Sequence, residues 1–325
     1  MRLWNRFRRP GAQDQEPVSL VAGETLPPLR PRVALIIHNP VIRAAGGRKL
    51  TEVLGWHDPD DLARQYIADL HEASRGLVSY QVAQRIEVGD WVVKADGYRY
   101  DEATYLRCWR NRAGFHEPDE ADYARLDAGF DLAHQVEEGV IDEVWLFAYP
   151  YAGYYESRMA GPGAFWCNAP PLPLPHVRLT RRFVIMGFNY ERDAGCMLES
   201  FGHRVESILQ YAWRRRRGEA NLWEQFIRHE RIAPGRASCG NMHFAPNSRY
   251  DYDWGNPNYV LSDCDDWLHF PDRRGRTRLV NCAEWGHGDM RAHHLWWLRH
   301  LPRVPGATDG LLNNWWAYAL DPNIV

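Results

Sequence analysis

The chain has 325 residues and a formal net charge of −3, from 39 Lys and Arg against 42 Asp and Glu. That near-neutral balance excludes a general nucleic-acid binder, which carries a large basic excess. With 45% hydrophobic and 25% charged residues, disorder over most of the length is excluded as well. Apolar runs such as Val33–Ile37 and Phe183–Phe188 are too short to span a bilayer.

In chain order, residues 1–31 read as a disordered basic and Pro-rich tail. No apolar stretch follows its basic start, so no export leader is seen and a cytoplasmic location is expected. Val33–Ile37 is a short continuous apolar run, the pattern of a strand buried on both faces, and His38-Asn39-Pro40 stops it. Asp58-Pro59-Asp60 opens a helix that carries Leu62, Tyr66, Ile67 and Leu70 toward Gly76. A second strand is predicted over 77–86, a helix over 120–138, a third strand over 142–148 and a fourth over 182–188. A long helix follows over 194–217, with further helices near 290–300 and 311–320. Strands alternating with helices at these lengths predict an α/β fold with a mostly parallel sheet flanked by helices. Residues 32–217 form its core. An irregular region rich in Trp, Asn and Asp, residues 218–325, is expected to pack over that core and complete the site.

The six cysteines are scattered with no C-x-x-C pair, which predicts neither a zinc ribbon nor a dense disulfide framework. No phosphate loop, dinucleotide fingerprint or Gly-x-Ser-x-Gly elbow is present. Cys196 starts the long helix, where a thiol can be activated, although a free cysteine more commonly serves as a small buried hydrophobe.

Ligands of open α/β sheets bind at the carboxyl ends of the strands. The post-strand loops here deliver His38 and Asn39, then Tyr155 and Glu156, then Asn189, Tyr190 and Glu191. On the long helix, Glu199, His203 and Glu206 are spaced four and three apart and so share one stripe. At ~100° per residue the apolar positions Leu198, Phe201, Val205, Ile208 and Leu209 face the other way. Gly202 lies between the two faces and leaves room for close approach. A carboxylate and an imidazole one turn apart, with a second carboxylate beyond, can bind a divalent metal or hold a general base. They can equally be a solvated hydrogen-bonded pair. A further ligand would come from the loop carrying His243, bounded by Gly240 and Pro246, or the one carrying His287, flanked by Gly286 and Gly288.

The leading expectation is a zinc-dependent hydrolase acting on a polar amide or glycosidic substrate. Glu199, His203 and His243 would hold the metal, with Glu206 or His287 completing or supporting it. Glu191 or Glu156 would shuttle the proton, Tyr155 or Tyr190 would stabilise developing charge, and His38, Asn39, Asn189 and Trp254 would contact substrate. The runner-up is a metal-free glycoside hydrolase using Glu156 and Glu191. A third reading is a non-catalytic carbohydrate-binding protein that uses aromatic loops such as Asp251-Tyr252-Asp253-Trp254. Expected partners are a small-molecule, peptide or saccharide substrate, with no nucleic acid and no membrane; the oligomeric state is left open.

Overall fold

The computed structural model describes residues 26–325; the basic start of the expected tail, residues 1–25, lies outside the described residues. Five strands form one sheet: β1 (Arg32–His38), β2 (Gln81–Val88), β3 (Glu143–Ala148), β4 (Ser157–Ala160) and β5 (Phe183–Asn189). Their spatial order is β2-β1-β3-β5-β4. The first three neighbouring pairs are parallel, and β4 runs antiparallel to β5 at one edge. The chain is therefore an α/β protein with a mostly parallel sheet. The apolar runs of β1, β3 and β5 are buried along nearly their whole length, as strands covered on both faces must be. β4 was not foreseen, because Ser157-Arg-Met-Ala is short and mixed in character.

Helix α1 (Pro59–Ala73) begins where Asp58 accepts hydrogen bonds from the backbone N–H groups of Asp60 and Asp61, and it buries Leu62, Tyr66 and Leu70. Helix α2 (Ala194–Trp213) follows β5, is capped by Asp193, and buries Leu198, Phe201, Val205, Ile208 and Leu209. On its sheet side the buried Arg204 guanidinium lies 2.7 Å from the buried Glu143 carboxylate at the start of β3. The helix expected over 120–138 is two helices, Tyr123–Phe130 and Leu132–Glu137, divided at Asp131, whose φ of 55° is left-handed. A helix over Glu102–Asn111, capped by Asp101, was not foreseen.

Helices α3 (Met290–Arg299) and α4 (Trp315–Leu320) both pack against α2. The helix expected to begin at residue 311 starts at Trp315. Residues 311–314 instead pair with 303–308 as a hairpin around Asp309-Gly310, both with positive φ, which is the dipeptide that primed hairpin turns select. Among the described residues no helix is long and apolar enough to cross a membrane, and none of the six cysteines is bridged.

Several imidazoles are locked inside this fold in the neutral state. Burial pushes His38 and His294 down to about 4. An unfolded histidine titrates near ~6.5, so between pH 6.5 and 4 the unfolded chain takes up protons that the native rings refuse. Stability is accordingly complete above pH 6.5 and falls as pH drops through that window, by about 3 kcal/mol per ring at pH 4. Urea midpoints at pH 7.5 and 4.5 check this. His38→Gln should flatten the pH dependence, and an unchanged slope would remove His38 from the account.

Candidate metal centre

The stripe of α2 opposite its apolar face is covered by the loop 239–244 and by residues 251–252. Asn241 folds that loop into a tight turn, its side-chain oxygen accepting from the backbone N–H groups of His243 and Phe244 at 3.0 and 2.9 Å. The indole N–H groups of Trp254 and Trp297 hold it from behind by donating to the carbonyls of Met242 and Gly240. Met242 reaches over Gly202, where an added Cβ would lie 1.8 Å from the methionine sulfur. The glycine thus admits the loop onto the helix and brings His243 to His203.

His203 Nε2 lies 3.1 Å from His243 Nε2. The Glu199 carboxylate is 3.3 Å from His243 Nε2 and 4.0 Å from His203 Nε2. The other nitrogen of each ring is committed elsewhere. His203 Nδ1 donates to Glu206 at 2.8 Å, and His243 Nδ1 lies 3.0 Å from the Asp251 carboxylate. Glu206 only accepts, so His203 Nδ1 carries a proton, and the Nε2 atoms of the two rings face each other beside Glu199. Tetrahedral zinc with bonds of about 2.0–2.1 Å separates two nitrogens by about 3.3 Å, close to the spacing of the two rings. The donor set, two imidazoles and a carboxylate with outer-shell carboxylates behind them, fits such an ion.

Electrostatics favour positive charge here. Burial pulls His203 down, but the bond to Glu206 and the charges of Glu156 and Glu199 outweigh it and leave the group above its ordinary value. His243 is raised by its bond to Glu199 in spite of burial. Burial pushes Glu199 up, yet the histidines around it hold it below the usual carboxylate range. Glu206 also accepts from the backbone N–H of Met242 at 2.9 Å, so one carboxylate both orients His203 and pins the His243 loop. Glu206→Gln should therefore weaken metal affinity by about 10- to 100-fold while leaving the fold intact, as titration of a metal-free sample would read. Unchanged affinity would assign Glu206 no part in the centre.

Two cavities flank the cluster. One of about 240 Å³ is lined by Glu199, Glu156, Tyr149, Tyr151, Asn189 and Arg192, among others, at the ends of β3 and β5. The other, of about 510 Å³, is lined by His203, His243, Trp223, Phe244, Arg214 and Arg217, among others. Glu156 reaches the first cavity because β5 carries Gly187, where a Cβ would lie 2.3 Å from the Tyr155 carbonyl oxygen. Partial loss of solvent there, reinforced by the charge of Glu199, raises the Glu156 carboxyl above its ordinary value. Asn168 donates to it at 2.6 Å.

Of the residues singled out in the sequence, Glu199, His203, His243 and Glu206 come together, and Glu156 and Asn189 line the adjoining cavity. Trp254 is buried and supports the loop rather than a ligand surface. His287 is exposed, and its Nδ1 lies 3.7 Å from Cys282 Sγ. Glu191 lines neither of these cavities. Tyr190 is fully buried and donates to the His38 carbonyl, while Tyr155 stacks beside Tyr123 and Arg158. His38 and Asn39 are buried too: His38 Nδ1 accepts from Tyr154, and Asn39 donates to Thr51. These contacts bury His38 and Asn39 near the point where the strand order reverses, and His38 also lines a separate cavity of about 220 Å³ with Asp90, Trp91, Arg99 and Arg125. Cys196 is not activated; burial raises its thiol to about 11.

Sequence reasoning missed two contributors. Asp251 places a carboxylate 3.0 Å from His243 Nδ1, and the Tyr252 hydroxyl lies 3.1 Å from His243 Nε2 on backbone held at a φ of 61°. Both sit in the Asp-Tyr-Asp-Trp segment, whose composition pointed to sugar contacts. Comparisons of the chain with protein-family models, with curated proteins and with solved structures find no match.

Proposed function

We propose that the protein is a divalent-metal hydrolase, with zinc held by Glu199, His203 and His243, acting on a polar amide or glycosidic bond. One observation carries this reading: two imidazoles, each with its Nδ1 against a carboxylate, bring their Nε2 atoms to 3.1 Å from each other beside a third carboxylate. Two imidazoles with a carboxylate suit zinc, and coordination positions not filled by protein suit a reactive water. When bound, such an ion lowers the pKa of water and polarises the bond to be cleaved.

The side chains divide the remaining work. Glu156, in the cavity next to Glu199 and with its carboxyl raised above its ordinary value, takes the proton of the attacking water and returns it to the leaving group. The Tyr252 hydroxyl, beside the cluster, donates to the oxygen on which negative charge develops, the role expected of Tyr155 or Tyr190. The cavities on either side supply two arms for an extended polar substrate. A metal-free mechanism through Glu156 and Glu191 draws no support, because Glu191 does not line the cavity that holds Glu156.

A panel of amide and glycoside substrates tests this reading. Hydrolysis of one class, abolished by exhaustive chelation and restored by zinc, is the expected result. Turnover that survives removal of all metal would overturn it.

A further inference from the structure

Away from the Glu199–His203–His243 cluster, the described residues gather a second set of mixed metal-ligating side chains: Cys264, Asp265 and His300. Cys264 and Asp265 open a short 3₁₀ segment, Cys264–His269, and His300 caps the end of α3. Cys264 and His300 are almost wholly buried, at 0% and 6% exposure. The His300 ring is fixed by its Nδ1, which donates to the Trp296 carbonyl at 2.7 Å. That bond leaves Nε2 facing Asp265 Oδ1 at 3.8 Å, too far for a hydrogen bond. The Cys264 sulfur lies 3.6 Å from the same oxygen. Zinc bonded to sulfur at about 2.3 Å and to oxygen at about 2.1 Å separates those atoms by about 3.6 Å in tetrahedral geometry.

Complete burial of Cys264 rules out attack on a substrate, so the trio is not a Cys–His–Asp nucleophile system. The charges around it suit a cation. Arg278 grips the Asp265 carboxylate at 2.5 and 3.0 Å, the kind of outer partner that orients a ligating carboxylate. Arg278 is itself neutralised by Glu284 at 2.7 Å, so the surroundings retain net negative charge. A staple is also physically useful here. Between residues 227 and 289 the chain forms only two three-residue strands and two 3₁₀ segments. Irregular chain with so little regular hydrogen bonding is where metal binding contributes folding free energy.

We propose that Cys264, Asp265 and His300 hold a second divalent metal, zinc by its donor set, which ties the 3₁₀ segment to the end of α3. This site takes no part in hydrolysis and stands independently of the function proposed above.

Cobalt substitution of the full chain tests it, because the cluster on α2 contains no sulfur. Cobalt-loaded protein should show a thiolate-to-cobalt charge-transfer band in the near ultraviolet. The band should persist in His203→Ala and vanish in Cys264→Ser, with bound metal falling by one equivalent. Should Cys264→Ser fail to fold, His300→Gln gives the same loss of metal, and the wild-type spectrum alone still decides. Cobalt-loaded wild type without the band, or a band that survives in Cys264→Ser, would overturn the proposal. Because the band reports only on sulfur, failure here leaves the α2 cluster untouched, and loss of hydrolysis in His203→Ala leaves this site untouched.

Discussion

His203→Ala should cost the protein one bound metal ion and reduce hydrolysis by about 10³-fold or more, the rate equivalent of several kcal/mol of lost charge stabilisation. Removing one of three ligands also leaves Glu199 and His243 to share the ion, and the affinity loss should exceed the about 10- to 100-fold typical of outer-shell changes. The fold should survive. Helix α2 is held through Leu198, Phe201, Val205, Ile208 and Leu209 on its opposite face, all fully buried, and alanine favours helix. Elemental mass spectrometry read beside circular dichroism separates loss of the ion from loss of the fold. Wild-type metal content with wild-type activity in the variant would remove His203 from the centre.

Glu156→Gln should produce a different signature. Glutamine has the same shape, so the ion should remain while kcat falls by about 10²- to 10⁴-fold, the usual contribution of a positioned acid or base. The pH profile gives a second check. Desolvation and the neighbouring Glu199 hold the Glu156 carboxyl above its ordinary value, and a base works only when deprotonated. Activity should therefore rise with pH through a limb lying above the usual carboxylate range, and that limb should disappear in Glu156→Gln. A variant with kcat within twofold of wild type would show that proton transfer runs through another group.

The parts of this site that follow local periodicity were legible in the sequence. The i, i+4 and i, i+3 spacing of Glu199, His203 and Glu206 places them on one stripe of α2, away from a core face that the apolar residues define independently. The gap at Gly202 marked where something approaches the helix, and Met242 occupies it. The parallel strands were legible for the same reason, as short apolar runs bounded by turns. What escaped depends on docking between distant segments. His243 and His287 look alike as histidines in glycine-bearing loops, and only the closure of the 239–244 loop over Gly202 distinguishes them. The phenol beside the cluster is Tyr252 rather than Tyr155 or Tyr190, because β4 pulls residues 154–157 back along β5 and Tyr190 is buried with its hydroxyl on the His38 carbonyl. Asp309-Gly310 is the opposite case, a local hairpin signal that a helical reading of the following Trp-rich segment overrode.

The most direct measurement is anomalous diffraction at the zinc edge from crystals of the full chain grown with zinc. A peak within about 2.0–2.2 Å of His203 Nε2, His243 Nε2 and a Glu199 oxygen is the expected result. Crystals in which the two Nε2 atoms stay in contact at full zinc concentration, with no anomalous density between them, would contradict the metal centre and the hydrolase reading built on it.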